Sequence, residues 1–155
     1  MGNIISKINS ITRLIVIALL AVMIVAVFLQ VLFRFFLDMP LAWTEELARY
    51  LLIWITFLGS AYAMAIKAHI GTEYIQKHLS PFMNKVVISV AAVLSIFFFV
   101  VMVHQGYSLA TRSMTQLSPT LLVPMGYVYM VIPISGVLLI MNALHVTWKD
   151  ITGKE

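Results

Sequence analysis

The chain contains no cysteine, which removes disulfides, thiolate nucleophiles and cysteine-ligated metals from consideration. Charge is nearly as scarce. Charged residues make up 10% of the 155 positions and hydrophobic residues 62%, whereas a soluble domain carries ~25% and ~45–50%. The few charges are clumped, so the runs between them are long and apolar, and the mean hydropathy is +1.01. This composition is that of an integral membrane protein. The net charge of +4 sits in flanks and loops, where it is a topology signal rather than a nucleic-acid surface.

What remains is four apolar stretches. Residues 14–33 are uncharged between Arg13 and Arg34, long enough as a helix to cover a ~30 Å hydrocarbon core. That length exceeds the apolar region of a secretory signal, so the segment reads as a retained first span. In the connection that follows, Asp38-Met39-Pro40 signals a helix start and Trp43 an interfacial anchor; a short helix lying in the membrane surface is expected there. The second span is expected over 47–66, the third over 86–103 after the break at Ser80-Pro81, and the fourth over 125–146. Pro133 and Gly136 inside the fourth are tolerated where neighbours satisfy the freed carbonyls. Between the last two spans, 107–124 reads as a polar connection with Pro119 and Pro124 as breakers. The fold class is therefore all-α integral membrane: one domain, 1–155, with four transmembrane helices and a short interfacial helix between the first and second.

Four spans put both termini on one side. That side holds Lys7, Arg13, Lys67, Lys77, Lys85, Lys149 and Lys154, seven basic residues, against three (Arg34, Arg49 and Arg112) on the other. The positive-inside rule makes the seven-residue side cytoplasmic.

The second span and its approach carry the most pattern. Trp43, Glu46, Tyr50, Trp54, Phe57 and Ala61 recur at offsets of 0, 3, 7, 11, 14 and 18, which at about 100° per residue is one helical face. Gly59 and Ala63 lie opposite, where missing bulk admits another helix. Glu45 and Arg49 stand at i, i+4 and Glu46 and Arg49 at i, i+3, so either pair can meet on a helix surface. These acids either complement the positive end of the helix dipole or form a polar lock to a partner, with Tyr50 and Trp54 as anchors. They do not read as a hydrolytic pair, because adjacent helical residues diverge by about 100°.

No span interior contains Asp, Glu, Lys or Arg; its polar residues are Gln30, Thr56, Ser60, Ser89, Ser95, Ser135 and Asn142. Ion- and proton-coupled carriers keep an ionisable group inside the bilayer for function, at ~2.5–3.5 kcal/mol on insertion scales. Sodium sites built from broken helices need paired interrupted segments, which four spans do not supply. The chain by itself is expected to move nothing, and a self-sufficient exporter, lacking its buried carboxylate, is the weakest reading. His69 and His145 fall near the same ends of their spans and define the alternative, a haem- or quinone-binding anchor of a respiratory enzyme. No histidine pair has the close helical spacing of a metal site.

The run Asp38-x-Pro40-x-x-Trp43-x-Glu45-Glu46-x-x-Arg49-Tyr50-x-x-x-Trp54, followed by Phe57-Leu58-Gly59 and His69-Ile70, resembles the small membrane subunit of tripartite ATP-independent periplasmic (TRAP) transporters, the DctQ-like family. The likeness covers the whole chain in length, span count and orientation, and is most specific across the second span. Gly71-Thr72-Glu73 stands where that family has an Asp soon after His-Ile. The resemblance implies a non-enzymatic, cofactor-free subunit of a sodium-coupled importer of an organic acid, of the sialic acid or C4-dicarboxylate class, in the bacterial inner membrane. Its implied partners are a large multi-span subunit, whose scaffold it braces, and a periplasmic substrate-binding protein. By position, Trp43, Glu45, Glu46, Arg49, Tyr50, Trp54, Gly59 and His69 match the motif and take interface or structural roles. Lys67, Lys77, Lys85 and Lys149, on the basic side, are candidates for contact with anionic lipid headgroups.

Overall fold

A computed structural model describes residues 2–66 and 81–152. Four helical stretches among them are long and apolar enough to cross a membrane; the described residues hold no strand beyond one isolated bridge, Leu117 to Pro124. Helix α1 runs Gly2–Phe36, α2 Ala42–Ala65 and α3 Pro81–Arg112, with a 3-10 turn, Ser113–Thr115, after α3. The last span is in two pieces, α4 (Met125–Tyr129) and α5 (Val131–Thr152). Proline accounts for the interruption. Pro133 has no N–H to return to the carbonyl of Tyr129, four residues back, and regular bonding resumes with Ile134 N–H to the Met130 carbonyl at 3.3 Å.

The helices overrun the uncharged windows. At 1.5 Å per residue, the 35 residues of α1 extend about 52 Å, well beyond a ~30 Å core. Arg13 and Arg34 thus mark where the helix enters and leaves hydrocarbon, not where it starts and stops. For the same reason α3 continues through Tyr107 to Arg112, and the polar connection shrinks to residues 113–124.

The structure corrects one expectation. No surface helix separates the first two spans. Residues 37–41 form a tight turn in which the Phe33 carbonyl accepts N–H bonds from both Leu37 (3.1 Å) and Met39 (3.3 Å). Asp38 takes a left-handed conformation, φ 51°, which Asp tolerates better than most residues, and Pro40 prevents early helical bonding. Trp43 and Glu45, expected near a separate helix, occupy the first turn of α2 instead.

The helices pack as a row, α1 on α2, α2 on α5, and α5 on α3. The centre is α5, whose Val131, Ser135, Leu139 and Asn142 form a buried stripe at helical spacing. The outer members keep apolar side chains exposed, Ile17, Ile24, Phe28 and Val31 on α1 and Val90, Leu94, Phe97 and Val101 on α3, as hydrocarbon-facing surfaces should be. Between α3 and α5 the backbones come close at two glycines. A Cβ on Gly106 would lie 2.7 Å from Ile132 Cγ2, and one on Gly136 2.6 Å from Val103 Cγ2. Such approach is the established use of small residues between membrane helices.

Candidate functional site

Few polar side chains are buried, and the largest groupings fasten the row at its two ends. At the end away from the termini the fastening is Glu46, one turn into α2 and 7% exposed. Its Oε1 accepts a bond from the Tyr50 hydroxyl at 2.8 Å, and its Oε2 accepts the backbone N–H groups of Thr120 (2.8 Å) and Leu121 (3.3 Å). Those amides belong to the loop between the 3-10 turn and α4. That loop is shaped by its own bonds: Ser118 N–H to the Val123 carbonyl at 3.0 Å, Val123 N–H to Ser118 Oγ at 3.1 Å, and Met125 N–H to the Gln116 carbonyl at 2.8 Å. Leu122 reverses the chain at φ 54°. With its oxygens occupied by three donors, Glu46 acts as a clamp on the loop, not as a base or metal ligand.

Its neighbour points elsewhere. Glu45, about 100° round the helix, accepts a 3.0 Å bond from Arg49, and both side chains are well exposed, at 62% and 66%. Of the two partners that spacing offered Arg49, it pairs with Glu45. The adjacent acids therefore divide the labour, one closing the fold and the other facing out.

The second fastening lies toward the termini. Asn142, 1% exposed, exchanges two side-chain bonds with Asn9 and donates a third, of 2.8 Å, to the Ala61 carbonyl. One amide thereby ties α1, α2 and α5 together. Elsewhere hydroxyls bond within their own helix, as Thr56 does to the Leu52 carbonyl and Ser60 to the Thr56 carbonyl, both at 2.8 Å, which meets the demand that polar groups in hydrocarbon be satisfied internally.

The aromatic stripe of α2 is used inside the chain at both ends, through Glu46 with Tyr50 and through Ala61, which is fully buried. Trp54 and Phe57 between them are half-buried, and Trp43 is 40% exposed. A Cβ on Gly59 would have nothing within 4 Å, so the chain's own helices leave that position open. Lys85 and Lys149 are exposed on α3 and α5. His69, Lys67 and Lys77 lie outside the described residues. Sequence reasoning had not assigned Asn9, Ser118, Thr120 or the glycines at 106 and 126. Asn142 was visible as a lone amide in an apolar span, but nothing in the sequence pointed to its partner.

Fold and site together define a multi-pass helical membrane protein whose buried Glu46 and Asn142 side chains are spent on its own assembly. The model of the family described as tripartite ATP-independent periplasmic transporters, DctQ component, matches residues 8–153, and the chain belongs to that family. A Haemophilus influenzae protein named as a TRAP transporter small permease protein is 26% identical over 131 residues, covering 84% of this chain and 81% of that protein. The chain is thus a TRAP transporter small permease subunit, non-enzymatic and multi-pass in the bacterial inner membrane. Subunits of this family work with a large membrane subunit and a periplasmic binding protein. The haem- or quinone-anchor reading finds no support in these relationships.

Proposed function

We propose that the chain braces the large membrane subunit of a sodium-coupled TRAP importer of an organic acid, of the sialic acid or C4-dicarboxylate class, and binds no substrate itself. Family membership supports the partner, and the periplasmic binding protein completes the set. The observation that carries the bracing role is the outward face of α2. Glu45, Arg49, Leu52, Thr56 and Ser60 are all exposed there, at offsets of 0, 4, 7, 11 and 15, and Gly59 adjoins them unoccupied. The two hydroxyls are turned back onto their own helix, so the mid-depth part of this face is thin and uncharged. A neighbouring helix can approach it closely. Above it, at headgroup depth, the exposed Glu45–Arg49 pair offers both signs of charge, with Trp43 beside it as an aromatic anchor. Sodium coupling and cargo belong to the large subunit in this reading.

The test is co-purification of the tagged chain with its large subunit, scored alongside uptake. Gly59→Leu fills a position that the chain's own helices leave empty, so it should spare the subunit's fold yet reduce the recovered partner several-fold. Arg49→Glu should do the same by removing the outward cation. Undiminished partner and uptake in both variants would remove this face from the interface.

A further inference from the structure

At the end of the row that holds the termini, α1, α2 and α5 enclose a cleft of 440 Å³, within the ~300–1,000 Å³ of small-ligand sites. Its walls include Arg13, Ser6 and Ser10 from α1, Tyr62 from α2, and His145 and Lys149 from α5. Each of these side chains ends in a hydrogen-bond donor, and no acidic residue is among the described residues that line the cleft. Among the described residues no side-chain hydrogen bond or ion pair of these six is present, and the Arg49–Glu45 pair lies at the far end. The Asn9–Asn142 pair borders the cleft, since Asn9 is also a lining residue, and so the three walls are held in register before any ligand arrives.

Depth narrows the ligand further. Arg13 immediately precedes the uncharged run 14–33, which places it at the edge of the hydrocarbon core. Helical side chains lean toward the helix N-terminus, so the Arg13 guanidinium tilts toward the termini and the Lys149 side of the cleft. Two cations, an imidazole and three hydroxyls, with no carboxylate among the described lining residues, suit a compact anion rich in acceptor oxygens. We propose that this cleft is a phosphate-binding site, occupied by the phosphodiester of an anionic phospholipid headgroup or by a free phosphate group. This inference does not depend on which face docks the large subunit.

Native mass spectrometry of the full chain released from nanodiscs of equimolar phosphatidylglycerol and phosphatidylcholine tests it. The wild type should retain phosphatidylglycerol in preference, with one copy dominant. A basic residue at an anionic surface contributes on the order of fivefold, so Arg13→Gln and Lys149→Gln should each lower the preference by about that factor and the double variant by roughly 20-fold or more. Both side chains are exposed, and unchanged thermal unfolding of the variants confirms that they fold. Arg34→Gln, at the other end of α1, should leave the preference intact. Loss of the retained lipid on adding inorganic phosphate would identify free phosphate as the natural occupant, and retention would identify the headgroup. Equal retention of the two lipids by the wild type, or an unaltered preference in the double variant, would overturn the proposal.

Discussion

The side-chain amides of Asn9 and Asn142, 133 residues apart, exchange two hydrogen bonds of 2.9 and 3.0 Å. Paired amides satisfy each other's donor and acceptor at once, which suits a site from which water is largely excluded. Because Asn142 also reaches the Ala61 carbonyl, this contact joins the first helix to the last through the second.

Loss of that contact should be measurable as stability. Asn142→Ala should cost about 1–2 kcal/mol, the upper range for interhelical polar contacts in membranes, read by unfolding in mixed micelles. Asn9→Ala should cost less, since Asn9 borders an open cleft. The double variant should fall short of the sum of the two by about 0.5–1 kcal/mol, as coupled residues do. Strict additivity would mean that the reciprocal bonds contribute no coupling energy.

Glu46 governs a different segment. Glu46→Ala leaves the Thr120 and Leu121 amides without the acceptor they now share, so hydrogen exchange at those two positions should accelerate by roughly tenfold or more. Glu46→Gln keeps one acceptor oxygen and should give a smaller effect. Tyr50→Phe removes the bond to the other carboxylate oxygen and should leave the loop amides nearly as protected as before. Equal exchange in all three variants would show that the loop is held by its internal bonds alone.

The spans were legible because arginines and lysines bracket the apolar runs, whereas the helix-start signal at Asp38-Met39-Pro40, read as opening a separate surface helix, opens the second span itself at Ala42. The true helix ends were not, since backbone hydrogen bonding continues past the level at which side chains change from apolar to charged. Partner choice was hidden for a related reason. Spacing rules rank neighbours along one helix, so they offered Arg49 to Glu45 and Glu46 alike, whereas the Glu46 carboxylate's loop partner lies 74 residues away. Small size is visible in a sequence and its purpose is not. Gly59 and Gly136 look alike in the chain, yet one meets nothing and the other meets Val103.

That contrast gives opposite outcomes for one substitution. Gly136→Ala would set a methyl 2.6 Å from Val103 Cγ2 and 3.1 Å from Met102 Cε. Val103 is stiff at χ1, so α3 and α5 must part, and the expected cost is about 1–3 kcal/mol. Gly106→Ala faces Ile132 Cγ2 at 2.7 Å and should behave similarly. Gly59→Ala enters open space and should stay within ~0.5 kcal/mol of the wild type in the isolated subunit. A large loss at Gly59, or none at Gly136, would contradict the packing described between these helices.

The absence of cysteine makes orientation directly testable. Single cysteines at Ser6 and Thr115, both exposed, lie at opposite ends of the row. With seven basic residues on the terminal side, a membrane-impermeant thiol reagent added outside intact cells should modify the cysteine at Thr115 and spare the one at Ser6. A cysteine at Gln76, outside the described residues, should be spared as well. The result bears on both proposals at once. Protection at Ser6 puts the cleft of Arg13 and Lys149 in the cytoplasmic leaflet, where juxtamembrane basic residues meet anionic lipid, and leaves the Glu46-clamped loop facing the periplasm from which the substrate-binding protein approaches. Labelling of Ser6 from outside would invert that assignment and move the basic cleft to the opposite leaflet.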